Sequence, residues 1–244
     1  MTPDNKGRPD WSKIRYPGAR HLVILGAGAS LAAFPNGDRN GNFIPLMHNL
    51  VEVVGLTPLL EKHGITYKNR NFEELYQSLH IEEKHGNLCD EIEDKLIKYF
   101  SSLVIPDDIT IYDKLLLSLK HDDMIATFNW DPFLIQAYNR NQHIDQLPQI
   151  AFLHGNVALG LCYSCSTNGV FGENCPGCEM PFSRSKLLFP IAEKDYKTDP
   201  FIHYEWKCFE NMLDKSMMVT IFGYGVPTTD VNAKEKVKKS FNRS

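Results

Sequence analysis

The chain has 244 residues, of which 43% are hydrophobic and 23% are charged, so it is long enough to bury the core of one large α/β domain or two small ones. Its 26 lysines and arginines against 30 aspartates and glutamates give a formal net charge of −4, which supplies no general electrostatic attraction to nucleic acids. No uninterrupted apolar run approaches the roughly 20 residues that a membrane-spanning helix needs, and we therefore expect a soluble protein with no membrane partner.

Residues 1–20 are polar and contain Pro3, Pro9, Pro17 and Gly18, a pattern that predicts a flexible lead-in. The segment has charges but lacks the apolar core of a secretory signal. We therefore expect a cytoplasmic protein whose cysteines stay reduced.

A short apolar run at residues 22–25 ends in the sequence GAGAS, which is typical of a buried strand that leads through a tight glycine turn into a helix. The glycines can serve only to let that helix pack closely against the sheet. They can also let backbone N–H groups approach a pyrophosphate, with Ser30 available to donate a hydrogen bond. Leu31 departs from the GxGxxG fingerprint, so an ordinary hydride-transfer dehydrogenase is not favoured.

The next part of the chain predicts a loop and then helices. Residues 34–45 are rich in asparagine, glycine and proline and predict a surface loop that could cover a ligand. A helical insertion is expected over about residues 50–105, in which residues 72–100 form two amphipathic helices broken near Gly86. A further helix is expected at residues 111–120.

Three later apolar runs have strand character, at residues 124–128, 150–153 and 217–223. Strands separated by helices predict a parallel α/β sheet, and ligands of such sheets bind at the carboxyl ends of the strands. Each run ends in a polar or glycine motif, and these motifs are Asn129-Trp130-Asp131, His154-Gly155 and Gly223-Tyr224-Gly225. We therefore expect them to meet the glycine turn at one edge of the sheet.

Each polar residue of these motifs has a structural and a functional interpretation. Asp131 precedes Pro132 as at a helix start, and the amide of Asn129 could hold a ribose hydroxyl or a water; we expect one of the two to cap the helix and the other to act on a ligand. His154 is either a satisfied structural histidine or the group that exchanges a proton near neutral pH.

Four of the six cysteines form two CxxC pairs separated by nine residues, and they are Cys162, Cys165, Cys175 and Cys178. Paired CxxC knuckles supply four thiolates in a tetrahedron for Zn²⁺, which predicts a zinc ribbon at about residues 158–182. Four protein ligands leave no open coordination position, so the Zn²⁺ would be structural. Cys89 and Cys208 are expected to be plain thiols.

The order of these motifs along the chain resembles the sirtuin-like (silent information regulator two) superfamily over roughly residues 21–231. The resemblance implies an α/β fold, with a Rossmann-like parallel sheet, helices on both faces, and a small lobe of zinc ribbon and helical insertion. It implies an enzyme that cleaves the nicotinamide–ribose bond of NAD⁺, in which Asn129 and His154 are catalytic. It further implies that the dinucleotide is contacted by Gly26, Ala27, Gly28, Ser30, Asp131, Gly223, Tyr224 and Gly225.

The departures from the deacylase pattern point to one branch of that superfamily. True sirtuin deacylases have a GIPDFR-type segment after the glycine turn and a peptide-clamping element after the ribbon, whereas residues 186–213 and 222–230 look like the divergent prokaryotic branch, many of whose members consume NAD in antiphage defence. The resemblance therefore implies an NAD⁺ glycohydrolase that uses NAD⁺ as substrate and holds structural Zn²⁺.

Two other functions stay open at this stage. One is NAD-dependent protein deacylation, and the other is a non-catalytic module that senses a nucleotide or docks nucleic acid through the ribbon and the basic C-terminal residues. Residues 231–244 predict the start of a helix with no strand after it, which leaves a longer protein open. Self-association and a partner effector or sensor protein are open as well.

Overall fold

The structure is a computed structural model that describes residues 20–68, 70–82, 85–191 and 194–225, together with 234–235 and 237–238. Residues 1–19 of the predicted lead-in, and most of the predicted C-terminal helix, lie outside the described residues. The elements in chain order are β1 (His21–Leu25), α1 (Ala27–Ala33), α2 (Leu50–Val54), α3 (Thr57–Lys62), α4 (Phe72–Ile81), α5 (Gly86–Ser101), α6 (Ile111–Ser118), β2 (Met124–Thr127), α7 (Phe133–Asn141), β3 (Gln149–Phe152), β4 (Leu159–Cys162), β5 (Thr167–Val170), β6 (Ser183–Arg184), α8 (Pro200–Lys215) and β7 (Met218–Phe222).

The main sheet has four strands in the order β3-β2-β1-β7, and every neighbouring pair is parallel. The apolar runs predicted as strands therefore form one parallel sheet, as expected. The chain moves from β1 to β2 to β3 in one direction and then returns to place β7 on the other side of β1. Such a reversal of strand order opens a crevice at the carboxyl ends of the strands, where α/β proteins bind ligands.

Helices cover both faces of this sheet. Leu22 and Ile24 of β1 pack into a cluster with α8, whereas Val23 and Leu25 pack into a second cluster with helices α1 to α7. Because successive side chains of a strand point to opposite faces, a strand covered on both sides must be apolar at every position. That requirement explains the uninterrupted LVIL sequence, and the predicted α/β class is confirmed.

In the part of it that the structure describes, the long connection between α1 and α6 carries helices α2 to α5 and begins with an irregular loop. Helices α4 and α5 are separate, and α5 begins at Gly86, which confirms the predicted break. The predicted loop at residues 34–45 is held by Asp38, whose carboxylate accepts the backbone N–H groups of Asn40, Asn42 and Val104. The loop is therefore anchored to the segment that follows α5.

A second sheet of three antiparallel strands, in the order β5-β4-β6, carries the cysteine pairs. Its small core contains Phe182, which lies so close to two glycines that a Cβ atom at Gly160 or Gly169 would come within 2.6 Å of the ring or its Cβ. Apart from Phe182, the buried residues of this core are cysteines. Such a lobe has little apolar area of its own with which to hold a fold.

No helix within the described parts of the chain is long and apolar enough to cross a membrane.

Helix α8 docks on the end of β3 through two polar side chains. Trp206 donates its indole N–H to the carbonyl of Leu153 at 2.9 Å, and Glu205 Oε2 accepts the backbone N–H of Phe152 at 2.6 Å. Burial raises the pKa of Glu205 from 4.5 to about 8, although the bond from Phe152 opposes that rise. The carboxyl group is therefore mostly protonated at neutral pH in the native protein.

Removing this titration is expected to change how stability depends on pH. The unfolded chain releases the Glu205 proton near its ordinary pKa of 4.5 and the native protein holds it to about pH 8, so the free energy of unfolding falls as pH rises between these values, by up to about 1.4 kcal/mol per pH unit. Glu205→Gln keeps an oxygen for the Phe152 N–H. In thermal unfolding followed by circular dichroism, the difference between the Tm of the variant and that of the wild type should become more positive as pH rises. Parallel Tm curves for the two proteins over this range would contradict the assignment.

Candidate functional site

A cavity of about 460 Å³ opens at the carboxyl ends of the parallel strands, a size within the usual range of small-molecule sites. Nine of the ten residues predicted to be catalytic or to contact a dinucleotide line it, and Ser30 does not. The nine are Gly26, Ala27, Gly28, Asn129, Asp131, His154, Gly223, Tyr224 and Gly225. The structure therefore brings motifs from four strand ends to one place.

The glycine turn after β1 packs directly against the end of β7. Gly26 N–H donates to the carbonyl of Phe222 at 3.1 Å, and Gly28 N–H donates to the carbonyl of Gly223 at 2.9 Å. A Cβ atom on Gly26 would lie 2.6 Å from Tyr224 Cα, and one on Gly28 would lie 2.9 Å from the Gly223 oxygen. Both positions therefore need glycine for the turn to pack against the end of β7. Because these two N–H groups already have protein acceptors, a pyrophosphate contact through them stays a prediction.

Ser30 lies behind the cavity wall in a buried polar cluster. Its Oγ is 2.7 Å from Tyr112 OH, 2.7 Å from Asp131 Oδ2 and 3.0 Å from Asn129 Nδ2, and the residue is fully buried. A direct contact between Ser30 and a ligand would require these side chains to move. In the described geometry Ser30 instead holds the two residues that do line the cavity.

The amide of Asn129 has a defined orientation. Its Nδ2 donates to the carbonyl of Gly26 at 3.0 Å and to Ser30 Oγ at 3.0 Å. A carbonyl oxygen can only accept, so the amide nitrogen must be the atom that faces Gly26. With both N–H protons directed to protein acceptors, Oδ1 is the atom that Asn129 retains for a ligand, and Asn129 acts there as an acceptor.

Asp131 combines a structural bond with a place in the cavity wall. Its Oδ1 accepts the backbone N–H of Phe133, the first residue of α7, at 3.3 Å, and its Oδ2 accepts the hydroxyl of Ser30. Burial raises the pKa of Asp131 to about 6, against the lowering effect of the bonds from Ser30 and Phe133. The expectation that Asn129 or Asp131 caps α7 is wrong by one residue, because the N-cap is Pro132, although Asp131 does accept the N–H of the first helical residue.

His154 is held at the strand edge by the turn that follows it. Gly155 has φ of +75° and a Cβ atom there would lie 1.9 Å from the carbonyl oxygen of Lys186, so the turn needs glycine. The backbone carbonyl of His154 accepts the N–H of Leu188 at 3.0 Å. Its ring packs edge-on to Phe128 at 4.9 Å between centroids, and the residue lines the cavity.

Tyr224 completes the wall on the β7 side. Its ring stacks on Phe128 with 4.2 Å between centroids and an interplanar angle of 4°. The same Phe128 ring meets His154, so one aromatic side chain positions both the glycine motif after β7 and the histidine after β3.

Sequence reasoning missed the residues that complete the cavity. Some come from the loop before α2, where the segment predicted to cover a ligand does contribute its last two residues, Ile44 and Pro45. The rest come from that same loop, from α2, from the start of α4, from α5, from the segment after β2 and from the segment before α8, and include Met47, His48, Leu50, Asn71, Glu73, Phe100, Trp130, Leu188, Pro190 and Lys194. Apart from Trp130, they belong to no motif, because they are spread over several elements with no characteristic spacing.

Tyr112 was also missed. It is buried in the first turn of α6, where an apolar helix pattern does not distinguish a core tyrosine from one that reaches a site. Its hydroxyl is the third buried side-chain group that contacts Ser30 Oγ, beside those of Asn129 and Asp131.

The four predicted zinc ligands form one cluster. The Sγ atoms of Cys162, Cys165, Cys175 and Cys178 all lie within 4.8 Å of one another, and those of Cys162 and Cys178 are 3.6 Å apart. A tetrahedron with Zn–S bonds of about 2.3 Å has S–S edges of about 3.8 Å. The donor set therefore fits a Zn²⁺ ion with four protein ligands.

Comparison with known proteins gives distant structural similarities. No protein-family model matches the chain and no curated protein sequence matches it. A Sir2 homologue in complex with NAD is 14% identical with a TM-score of 0.43, over 91% of this chain and 75% of that one. A Sir2 variant with a deacetylated p53 peptide and 3'-O-acetyl ADP-ribose is 12% identical with a TM-score of 0.42, over 91% and 78% of the two chains. These values do not by themselves assign an activity to this chain.

Loss of one cysteine ligand should release the metal and destabilise the protein. We expect one Zn²⁺ per chain in the purified wild type and less than half of that in Cys175→Ser, measured by mass spectrometry of the metal content. Because metal binding contributes to folding, the Tm of the variant should fall by roughly 5 °C or more. Cys208→Ser, which changes a thiol outside the cluster, is the control. Equal zinc content in all three proteins would contradict a zinc site.

Proposed function

We propose that this chain is an NAD⁺ glycohydrolase that releases nicotinamide and ADP-ribose, and that it acts as an effector of antiphage defence. The observation that carries the proposal is the meeting of Asn129, His154 and the glycine turn in one cavity at the point where the strand order reverses. The sequence order of the same motifs, which resembles sirtuin-like enzymes, supports NAD⁺ as the ligand.

The reaction needs little acid catalysis, because the nicotinamide of NAD⁺ is already cationic and leaves as a neutral molecule. Water adds to the ribose carbon while the bond from that carbon to the nicotinamide nitrogen breaks. The bonding electrons neutralise the pyridinium ring, and the proton of the water passes to a base. As in glycoside hydrolysis, positive charge develops on the ribose in the transition state.

The cavity residues have the chemistry for these steps. Asn129 Oδ1 would accept a hydrogen bond from the attacking water or from a ribose hydroxyl and so orient it. His154 would take the proton, since imidazole exchanges protons near neutral pH. The carboxylate of Asp131, ionised above about pH 6, would stabilise the positive charge on the ribose.

The apolar part of the cavity favours one second candidate, NAD-dependent deacylation. Ile44, Met47, Leu50 and Phe100 contribute an apolar surface that would accept an acyl chain as well as a nicotinamide ring. The sequence after the ribbon lacks the peptide-clamping element of true sirtuin deacylases, which is why hydrolysis is the leading proposal.

Both proposals depend on Asn129 and His154, and we expect each alanine variant to lose nicotinamide release. The purified wild type is incubated with NAD⁺, with and without an acetylated peptide, and the products are separated by chromatography. The rate in Asn129→Ala and in His154→Ala should fall roughly 100-fold or more. His143→Ala, which changes an exposed histidine outside the cavity, should keep the wild-type rate.

The products separate the possible outcomes. Nicotinamide and ADP-ribose without peptide support the hydrolase, whereas O-acetyl-ADP-ribose formed only with peptide supports the deacylase. Binding of NAD⁺ without any product, or an undiminished rate in both alanine variants, would contradict the catalytic assignment. For the defence role, cellular NAD⁺ should fall after phage infection in cells that express the wild type and not in cells that express Asn129→Ala.

A further inference from the structure

The hydroxyl of Tyr112 belongs to the buried cluster under Asn129. It lies 2.7 Å from Ser30 Oγ and 3.4 Å from Asn129 Nδ2, and no more than 1% of the tyrosine is exposed. The ring is also held in place, since it packs edge-on to Phe34 at 5.7 Å between centroids. The side chain of Tyr112 is thus held through both its ring and its hydroxyl.

The start of α6 places this tyrosine. Thr110 and Asp113 form a reciprocal capping box, in which Thr110 N–H donates to Asp113 Oδ2 at 2.7 Å. Asp113 also pairs with Arg140 of α7, and the hydrogen bonds from Arg140 and Thr110 outweigh the effect of burial and lower the pKa of Asp113. The helix turn that carries Tyr112 is therefore tied to the helix that follows Asp131.

Counting protons fixes the direction of the hydrogen bonds. An ionised carboxylate only accepts, so Ser30 gives its single proton to Asp131 Oδ2. Ser30 Oγ then acts as acceptor for Tyr112 and for Asn129 Nδ2. The hydrogen bonds therefore run in series from Tyr112 to Ser30 and from Ser30 to Asp131. The amide of Asn129 also donates to Ser30.

We propose that Tyr112 is a positioning residue which, through Ser30, holds the Asn129 amide so that Oδ1 faces the ligand. It touches no ligand, because its side chain is buried behind the cavity wall and is absent from the cavity lining. The proposal rests on the hydrolysis proposed above, and it adds a residue that no sequence motif indicates.

Removal of the hydroxyl should affect turnover more than binding. In Tyr112→Phe, Ser30 keeps Asn129 as donor and Asp131 as acceptor, so no charge is left without a partner and the fold survives. Ser30 Oγ loses one of the groups that fix its position, so the Asn129 amide that donates to it is held less rigidly. Because Asn129 orients the attacking group and the remaining wall still holds the dinucleotide, the loss falls on kcat and not on KM.

Tyr112→Phe is compared with Tyr76→Phe. Tyr76 is also buried and donates its hydroxyl to the carboxylate of Glu93, but it lies outside the cavity lining. We expect kcat for nicotinamide release to fall about tenfold in Tyr112→Phe, with KM for NAD⁺ within about twofold of wild type. Tyr76→Phe should keep kcat even if its Tm falls further. A wild-type kcat in Tyr112→Phe, or an equal fall in both variants, would overturn the proposal.

A second measurement does not depend on turnover. In ligand-free protein labelled with ¹⁵N-asparagine, the side-chain amide signals of Asn129 are identified by their loss in Asn129→Asp. We expect these signals to shift and to exchange faster with water in Tyr112→Phe, and to stay unchanged in Tyr76→Phe. Unchanged signals in Tyr112→Phe would overturn the positioning role. If the wild type releases no nicotinamide, the proposed function fails, and this measurement still decides whether Tyr112 positions Asn129.

Discussion

The cavity depends on one buried hydroxyl, that of Ser30. It connects α1, the end of β2 and the start of α6 through bonds to Asp131, Asn129 and Tyr112. Without it, the carboxylate of the buried Asp131 would lose its side-chain donor, at a cost of about 1–3 kcal/mol or more for a charged group. The same bonds that satisfy the buried core therefore also set the orientation of the groups that face the ligand.

The contact between the two glycine motifs adds a steric constraint to this network. Gly28 and Gly223 are so close that a Cβ atom on Gly223 would lie 1.9 Å from the backbone nitrogen of Ala29. The turn after β1 and the turn after β7 can meet only because neither has a side chain at these positions. This close approach narrows the crevice at the strand ends and defines one wall of the cavity.

The proposed chemistry needs an ionised carboxylate at Asp131, whereas burial makes that charge unfavourable for stability. Burial raises the pKa of Asp131 to about 6, which means that the protein keeps a carboxylate where its charge is costly. Glu205, buried under β3, has its pKa raised to about 8 and stays mostly neutral at pH 7. Of these two buried acids, the one that lines the cavity is the one that ionises more readily, because Ser30 and Phe133 donate to it.

The sequence by itself determined the features that depend on local patterns: the apolar runs of a doubly covered parallel sheet, the helix break at Gly86, the cysteine cluster, and the meeting of strand-end motifs at one edge. Only the tertiary structure decided that Ser30 lies behind the cavity, that Tyr112 reaches it, and which end of the Asn129 amide is left for a ligand. These contacts join residues 82 to 103 positions apart, and they exist because β2 pairs with β1 and the first turn of α6 reaches Ser30. No periodicity or spacing encodes such a contact, since a tyrosine in an apolar helix looks the same whether it fills a core or supports a site.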